Sequence, residues 1–490
     1  MSSPGELRRA WINRVAIAVT LALCSFVGVS EATLPRAIER PFLDARIPLN
    51  SIGIVVQEVT QRRPLFAQQI DRPYNPASVM KLVTTFAALE LLGPDYRWKT
   101  EAYLGGPIEG GVLRGDLVLK GGGDPKITVE QWQTFMTNLR AQGLDAVEGN
   151  LVLDRSFFAP VAHDPAAFDH EPLKPYNVGP DALLVNFKSI RFGFAPATTG
   201  DATVVTVEPQ LASIAVGAPP RLSDGDCGDW RANLAAAFVD RGARAEVAFS
   251  GRYPASCDVR EWWVSLLDTP SYVHAMFDTY FRAAGGRFAG SWKDGTAPKD
   301  GRPYATLYSP PLWDIVRDVN KLSNNVMARQ VFLTLATVNA PPPATTRGAT
   351  DTVMRWLAWH NLKMPDLVLD NGSGLSRRER ISAGSLARLL IAADTSRVRE
   401  EFASSLAVAA MDGTVERRFQ SGSVAGQAQL KTGTLDGVSS LAGYVIDAEG
   451  RRFVVVAIVN HANAMRARGA LDNLVQWVYR NAATWTPASR

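Results

Sequence analysis

The chain has only five histidines, His163, His170, His274, His360 and His461, and none forms a close pair with metal-ligand spacing. A catalytic metal would have to be assembled from distant parts of the chain, so neither a metal nor any other cofactor is expected. Cysteine is scarcer still, with three in all, one of them (Cys24) inside an apolar N-terminal run. Cys227 and Cys257 remain, an even pair that an oxidising compartment would favour as a disulfide; the alternative is two buried thiols. Internal repeats and long low-complexity tracts are also missing. The net charge is +4, but the basic residues are scattered in short pairs such as Arg62-Arg63 and Arg417-Arg418. Without a basic stripe, a nucleic-acid partner is not expected.

What is present describes a globular, exported protein. Hydrophobic residues make up 46% and charged residues 20% of 490 positions, enough for two or three domains. In residues 1–32, Arg8, Arg9 and Arg14 precede the apolar run VAIAVTLALCSFVGV, and Ser30-Glu31-Ala32 supplies a small-x-small cleavage pattern before Thr33. This pattern predicts a signal peptide and a mature chain outside the cytoplasm, in the periplasm. The run from Val15 to Val29 is shorter than the about 20 residues a bilayer crossing needs. Lipid attachment at Cys24 is disfavoured by the bulk of Leu23. Peripheral association with membrane or cell wall stays open.

IGIVVQEV (52–59) and PLFAQQ (64–69) read as a hairpin. Pro73 and Pro76 then lead into a helix whose first turn holds Ser78. From about Glu101 many short strands follow, punctuated by Gly, Pro and Asp, with one helix near Thr128 to Gln142. After about Lys299 the chain is helical again, and it finishes with the strands AQLKTGT, SSLAGYVI and RFVVVAIV before a last helix. Two early strands cannot bury a face alone, and three late ones can complete their sheet. The expectation is one domain split by a long β-rich insertion.

Three stretches carry polar residues that packing does not explain: Ser78-Val79-Met80-Lys81, Ser323-Asn324-Asn325 and Lys431-Thr432-Gly433-Thr434. An unaided hydroxyl is a weak nucleophile. A lysine three residues on shares its helix face and can take its proton if burial and a second cation, Lys431, lower the lysine pKa. Ser323 and Asn325 can offer a hydroxyl and an amide to a cleft, although Ser-Asn-Asn is equally ordinary in a loop between helices. Lys431 and Thr432 on a strand can bind a carboxylate, and Gly433 lets a substrate backbone approach.

In this order SVMK, SNN and KTG resemble the penicillin-binding protein and serine β-lactamase superfamily. The spacing of 245 residues from Ser78 to Ser323, and of 108 from there to Lys431, narrows the branch. So do GDLVLKGGGDP, PYNVGPDALLVNF, LDNGSGLSRRERIS, MDGTVERRF and VNHANA. Together they resemble the D-alanyl-D-alanine carboxypeptidase/endopeptidase family of low-molecular-mass class C penicillin-binding proteins, peptidase family S13. The resemblance implies an α+β fold in which a transpeptidase-like domain with a five-stranded antiparallel sheet (33–100 and 296–490) is interrupted by two nested domains, 101–126 with 206–295, and 127–205. It implies an acyl-enzyme on Ser78, with Lys81 as general base and Ser323, Asn325 and Lys431 moving protons and orienting the peptide. The backbone N–H groups of Ser78 and Thr434 would form the oxyanion hole, and Thr432 and Gly433 would contact substrate.

The implied substrates are peptidoglycan stem peptides and crosslinks, with β-lactams as covalent inhibitors. Asp169 or Glu171, near Tyr176, would receive the amino end of a diaminopimelate side chain and Arg377 its carboxylate. The run Arg377-Arg378-Glu379-Arg380 could instead be a solvated helix start. Three other readings remain: a β-lactamase, an esterase on the same scaffold, or a non-catalytic peptidoglycan-binding protein.

Overall fold

The computed structural model describes residues 34–198, 201–420 and 422–485; the expected signal peptide lies outside them. The chain runs through helix α1 (Arg36–Asp44), strands β1 (Ile52–Glu58) and β2 (Phe66–Gln68) and helix α2 (Lys81–Leu92). Helix α3 (Val129–Ala141) lies in the expected insertion, and α4 (Leu312–Lys321), α5 (Asn325–Thr334) and α6 (Ala383–Asp394) follow it. Strands β3 (Ala407–Val408), β4 (Ala428–Leu435), β5 (Val438–Ile446) and β6 (Arg452–Asn460) lead to helix α7 (Arg468–Asn481).

Early and late strands pair as expected, β1 lying antiparallel to β6 along its whole length. The sheet order is β2-β1-β6-β5-β4-β3. It has six strands where five were expected; the extra one, β3, is only two residues long and had no alternation to reveal it. Both faces are covered, which explains why RFVVVAIVN is apolar at nearly every position. Val454, Val456 and Ile458 face a core that contains α2, α4, α5 and α6. The alternate residues Val455, Ala457 and Val459 face α1 and α7. Helix α2 is buried at every position from Lys81 to Leu89, because it runs through the middle of the helical layer.

The insertion departs from the expected division. Leu151–Asp154, expected within the nested segment 127–205, pairs with Leu117–Gly121. Ile190–Pro196 pairs with Thr203–Glu208, a strand that the expected border at 205 cuts, and with Arg260–Val264. All strands between 190 and 264 pair among themselves, whereas those of 99–154 pair with 287–308. One apolar core nevertheless runs through both sets. Helix α3 falls where expected, with Thr128 and Gln131 forming a reciprocal capping box. Cys227 and Cys257 are joined, their Cα atoms 4.6 Å apart.

Candidate active site

Ser78 sits in a single turn of 3-10 helix, Ala77–Met80, that continues into α2. Ala77, just before it, has φ +48°, a left-handed conformation that costs a non-glycine residue about 1–3 kcal/mol and persists only when its surroundings enforce it. Asn75 Oδ1 accepts the Ala77 N–H at 2.9 Å. Asn75 and Asn460, the last residue of β6, exchange two side chain–backbone bonds of 2.8 and 2.9 Å. Ser440 Oγ on β5 donates to the Pro76 carbonyl at 2.6 Å. The sheet thus clamps the turn that aims Ser78. A Cβ at Gly433 would come within 2.7 Å of the Pro76 carbonyl and 2.9 Å of Ser78 N. The backbone that needs this glycine is therefore the chain's own, rather than only a substrate's.

Lys81 is fully buried, and its Nζ donates to Ser78 Oγ at 3.0 Å, to Asn325 Oδ1 at 2.6 Å and to the Ser373 carbonyl. Two of these partners accept only. When the amine is neutral, its two N–H bonds satisfy Asn325 and Ser373 and its lone pair is left to face the Ser78 hydroxyl. Burial holds the Lys81 pKa well below the usual lysine range, Lys431 pushes it further down, and Glu379 opposes. The first and second motifs therefore meet on one nitrogen.

Ser323 has φ +58° and lies in the short link between α4 and α5. A loop between helices is indeed its setting, yet the loop delivers its hydroxyl to the third motif. Lys431 Nζ, fully buried on β4, donates to Ser323 Oγ at 2.8 Å and to the Thr432 carbonyl at 2.7 Å. Burial alone lowers the Lys431 pKa to about 7. Asn324 caps α5 by accepting the Met327 N–H at 3.0 Å, so Asn325 enters the site from the first helical turn. Thr432 Oγ1 bonds Thr414 Oγ1 at 2.8 Å, and Thr434 is exposed one residue beyond Gly433.

The residues expected to choose the substrate are assembled less tightly. Asp169 accepts from the Tyr176 hydroxyl at 2.8 Å, from Asn177 Nδ2 at 2.8 Å and from the Glu171 N–H at 3.1 Å. Burial pushes its carboxyl pKa up, and these bonds more than offset that, leaving it below the ordinary value. Burial and the Asp169 bond push the Tyr176 phenol up to about 12. Glu171 joins the group through its backbone, not its carboxylate. Arg377 is exposed; it donates to the Asp436 carbonyl at 2.9 Å and its guanidinium lies 4.7 Å from the centre of the Phe168 ring.

Sequence reasoning missed the layer behind Lys81. Glu379 is fully buried, not part of a solvated helix start, and its Oε1 accepts the N–H groups of Asp370, Asn371 and Gly372 at 3.3, 3.1 and 2.9 Å. It thereby shapes the loop that presents Ser373 to Lys81 and the Gly372 carbonyl to Thr84 Oγ1 at 2.6 Å. A Cβ at Gly374 (φ +81°) would lie 2.7 Å from Ser78 Cα, so the loop packs directly on the nucleophile's backbone. The stretch LDNGSGLSRRERIS held all these residues, but a glutamate among three arginines gives no sign of burial.

A turn-mounted serine with a buried lysine at its hydroxyl thus lies beside a second buried lysine, on β4, that bonds a serine from the α4–α5 link. The family model of the D-Ala-D-Ala carboxypeptidase 3 (S13) family matches residues 34–481, and the chain belongs to that family. It is 26% identical to a D-alanyl-D-alanine carboxypeptidase of Actinomadura sp. (strain R39), over 97% of this chain and 93% of that one. It is 24% identical to the D-alanyl-D-alanine carboxypeptidase DacB of Haemophilus influenzae, over 90% and 92%. Among solved structures, penicillin binding protein 4 of H. influenzae superposes with a TM-score of 0.75 at 22% identity, covering 90% of this chain and 99% of that one. A second structure of that protein, complexed with a β-lactam, gives 0.72 at the same identity and coverage.

Proposed function

We propose that this protein is an exported serine D-alanyl-D-alanine carboxypeptidase and DD-endopeptidase acting on peptidoglycan stem peptides and crosslinks through an acyl-enzyme on Ser78. The observation that carries the reading is Lys81 Nζ, held by two acceptors with its remaining valence toward Ser78 Oγ. Neutral Lys81 takes the serine proton as Oγ attacks the carbonyl of the penultimate D-alanine. The N–H groups of Ser78 and Thr434 receive the oxyanion. Ser323, beside Lys431, passes a proton to the leaving nitrogen, and water then releases the ester. Lys431 and Thr432 hold the terminal carboxylate, while Asp169 with Tyr176 receives an amino group on the peptide's side-chain arm. Family membership and the names of the relatives support the peptide substrate. The N-terminal pattern supports export to the periplasm.

Mass spectrometry of products from defined crosslinked and uncrosslinked muropeptides tests this, alongside penicillin labelling. Wild type is expected to release D-alanine, to open D-Ala crosslinks, and to carry penicillin as a long-lived adduct on Ser78. Ser78→Ala should lose at least about 10³-fold in peptide cleavage. Full cleavage by that variant would end the proposal, and rapid turnover of penicillin would favour a β-lactamase instead.

A further inference from the structure

The helix Thr346–Trp359 is anchored by one side only. Val353, Trp356 and Leu357 are buried in the core that contains α2, and the Trp356 ring meets Phe86 of α2 edge-on, their centroids 5.1 Å apart. Its other side turns apolar groups outward. Trp359 is 89% exposed, more than any other large apolar side chain among the described residues, and Met354 is 40% exposed. Single exposed apolar residues are ordinary, so Trp359 gains meaning from what surrounds it.

Its surroundings are cationic. Arg355 lies one turn before it and Lys363 four residues beyond it, both exposed. Arg388 of α6 donates to the Lys363 carbonyl at 3.2 Å, and Arg397 to the Glu90 carbonyl at 2.9 Å. Among the described residues none of these four cations has a carboxylate within 4.0 Å. The nearby acids are engaged: Glu90 by His360 at 3.2 Å and by the Ser396 hydroxyl, Asp366 by the Ser385 hydroxyl at 2.7 Å, and Asp351 by Arg347 at 3.8 Å. The patch thus presents an indole and a thioether among unpaired positive charges. An apolar protein surface laid on it would desolvate those charges with nothing to balance them. The headgroup layer of an anionic bilayer offers phosphates to the cations and a half-wet zone to the indole, whose ring is apolar and whose N–H wants a partner.

We propose that this face, centred on Trp359, docks the protein on a phospholipid bilayer rich in anionic headgroups. The inference goes beyond the peptidase reading and does not depend on it. Glu90 follows Lys81 by nine residues along α2, about 14 Å at 1.5 Å per residue. His360 and Arg397 tie the patch to that far end of the nucleophile helix. Docking there leaves the catalytic turn at the end of α2 away from the lipid, with its cleft open to solvent.

The test mixes the chain from Thr33 onward, so that the apolar N-terminal run does not itself bind lipid, with phosphatidylcholine vesicles that contain or lack phosphatidylglycerol. The readouts are co-sedimentation and quenching of tryptophan fluorescence by lipid brominated near the headgroup. Wild type is expected to bind the phosphatidylglycerol vesicles about 10-fold or more tightly than the others, and to be quenched on them. Trp359→Ala should bind about 10-fold more weakly and lose the quenching. Arg355→Gln with Lys363→Gln should lose about 10-fold on the phosphatidylglycerol vesicles alone. Trp263→Ala, which removes an exposed tryptophan of the insertion, should bind as wild type. All of these side chains lie at the surface, so melting temperatures should match wild type. Binding that is absent, equal on both kinds of vesicle, unquenched, or kept in full by Trp359→Ala overturns the proposal. A wild-type dimer that Trp359→Ala dissolves in sedimentation assigns the face to a second copy of the chain and overturns it as well.

Discussion

Lys81 and Lys431 are both buried cations in waiting, and the protein pays for them in stability. Lys431 has a folded pKa of about 7 against an ordinary 10.5, because burial disfavours its charge. Below pH 7 the lysine is protonated folded and unfolded, so the whole penalty is present. Between about 7 and 10.5 the unfolded chain binds the extra proton, and stability rises with pH. Replacing Lys431 with Met removes the penalty along with the charge. The variant should melt above wild type at pH 6, with the gap closing toward pH 9, while acylation of Ser78 is lost. Thermal melts across that range check it, and a gap that widens with pH would contradict the burial argument.

Glu379 makes a different test of the same lysine. Its carboxylate raises the Lys81 pKa, opposing burial and Lys431. Glu379→Gln keeps an oxygen for the three loop N–H groups but removes the charge, so Lys81 should lose its proton more easily. The rising acid limb of kcat/KM should move to lower pH with kcat nearly kept. Glu379→Ala leaves the three N–H groups without their acceptor and should cost about 10- to 100-fold in kcat, because the loop no longer fixes the Ser373 carbonyl. A purely structural glutamate would show the second effect without the first, and pH–rate profiles of the two variants separate the cases.

At the scale of elements, what could be read from sequence was what local pattern encodes. The hairpin β1–β2, the closing strands β4 to β6 and helix α3 all appear where the local sequence pattern puts them. The three motifs were legible because nucleophile, amide and cation are rare choices at buried places. The division of the insertion was not: strand partners there lie up to about 200 residues apart, and nothing local records which strand a short VLV or LVL run will join. Two-residue β3 and the buried state of Glu379 were invisible for the same reason, being products of tertiary packing. Gly433 shows what one contact between elements is worth. Its Cβ-free face lets β4 touch the Ser78 turn, and Gly433→Ala would push a methyl group into the Pro76 carbonyl, Ser78 N and Ser440 Oγ. Acylation by penicillin should fall by about 10²-fold or more while the melting temperature drops only modestly, since the strand can retreat as a unit. Unchanged acylation would mean that the close approach does not aim the nucleophile.

At the scale of the whole molecule, chemistry and insertion are carried by different cores. The nucleophile helix packs in the core shared with α4, α5 and α6, whereas the strands of 190–264 pack in the core of the insertion. The Cys227–Cys257 bond closes a 30-residue separation entirely within that second set. Constraint of the unfolded loop is worth about 4 kcal/mol for this length in the chain-entropy account. Cys257 is fully buried in the same core as Tyr253 and Phe249, so paired serines lose apolar packing as well as the link. The double variant Cys227→Ser with Cys257→Ser should therefore be cut sooner by protease between 210 and 260 and melt earlier. The rate at which penicillin acylates Ser78 should stay within about twofold of wild type at 25 °C, because none of the groups that hold Lys81 belongs to the insertion. Limited proteolysis and acylation kinetics on the same preparation decide the matter. A parallel fall in acylation would mean that the two cores transmit strain to one another, making the insertion part of the catalytic machinery.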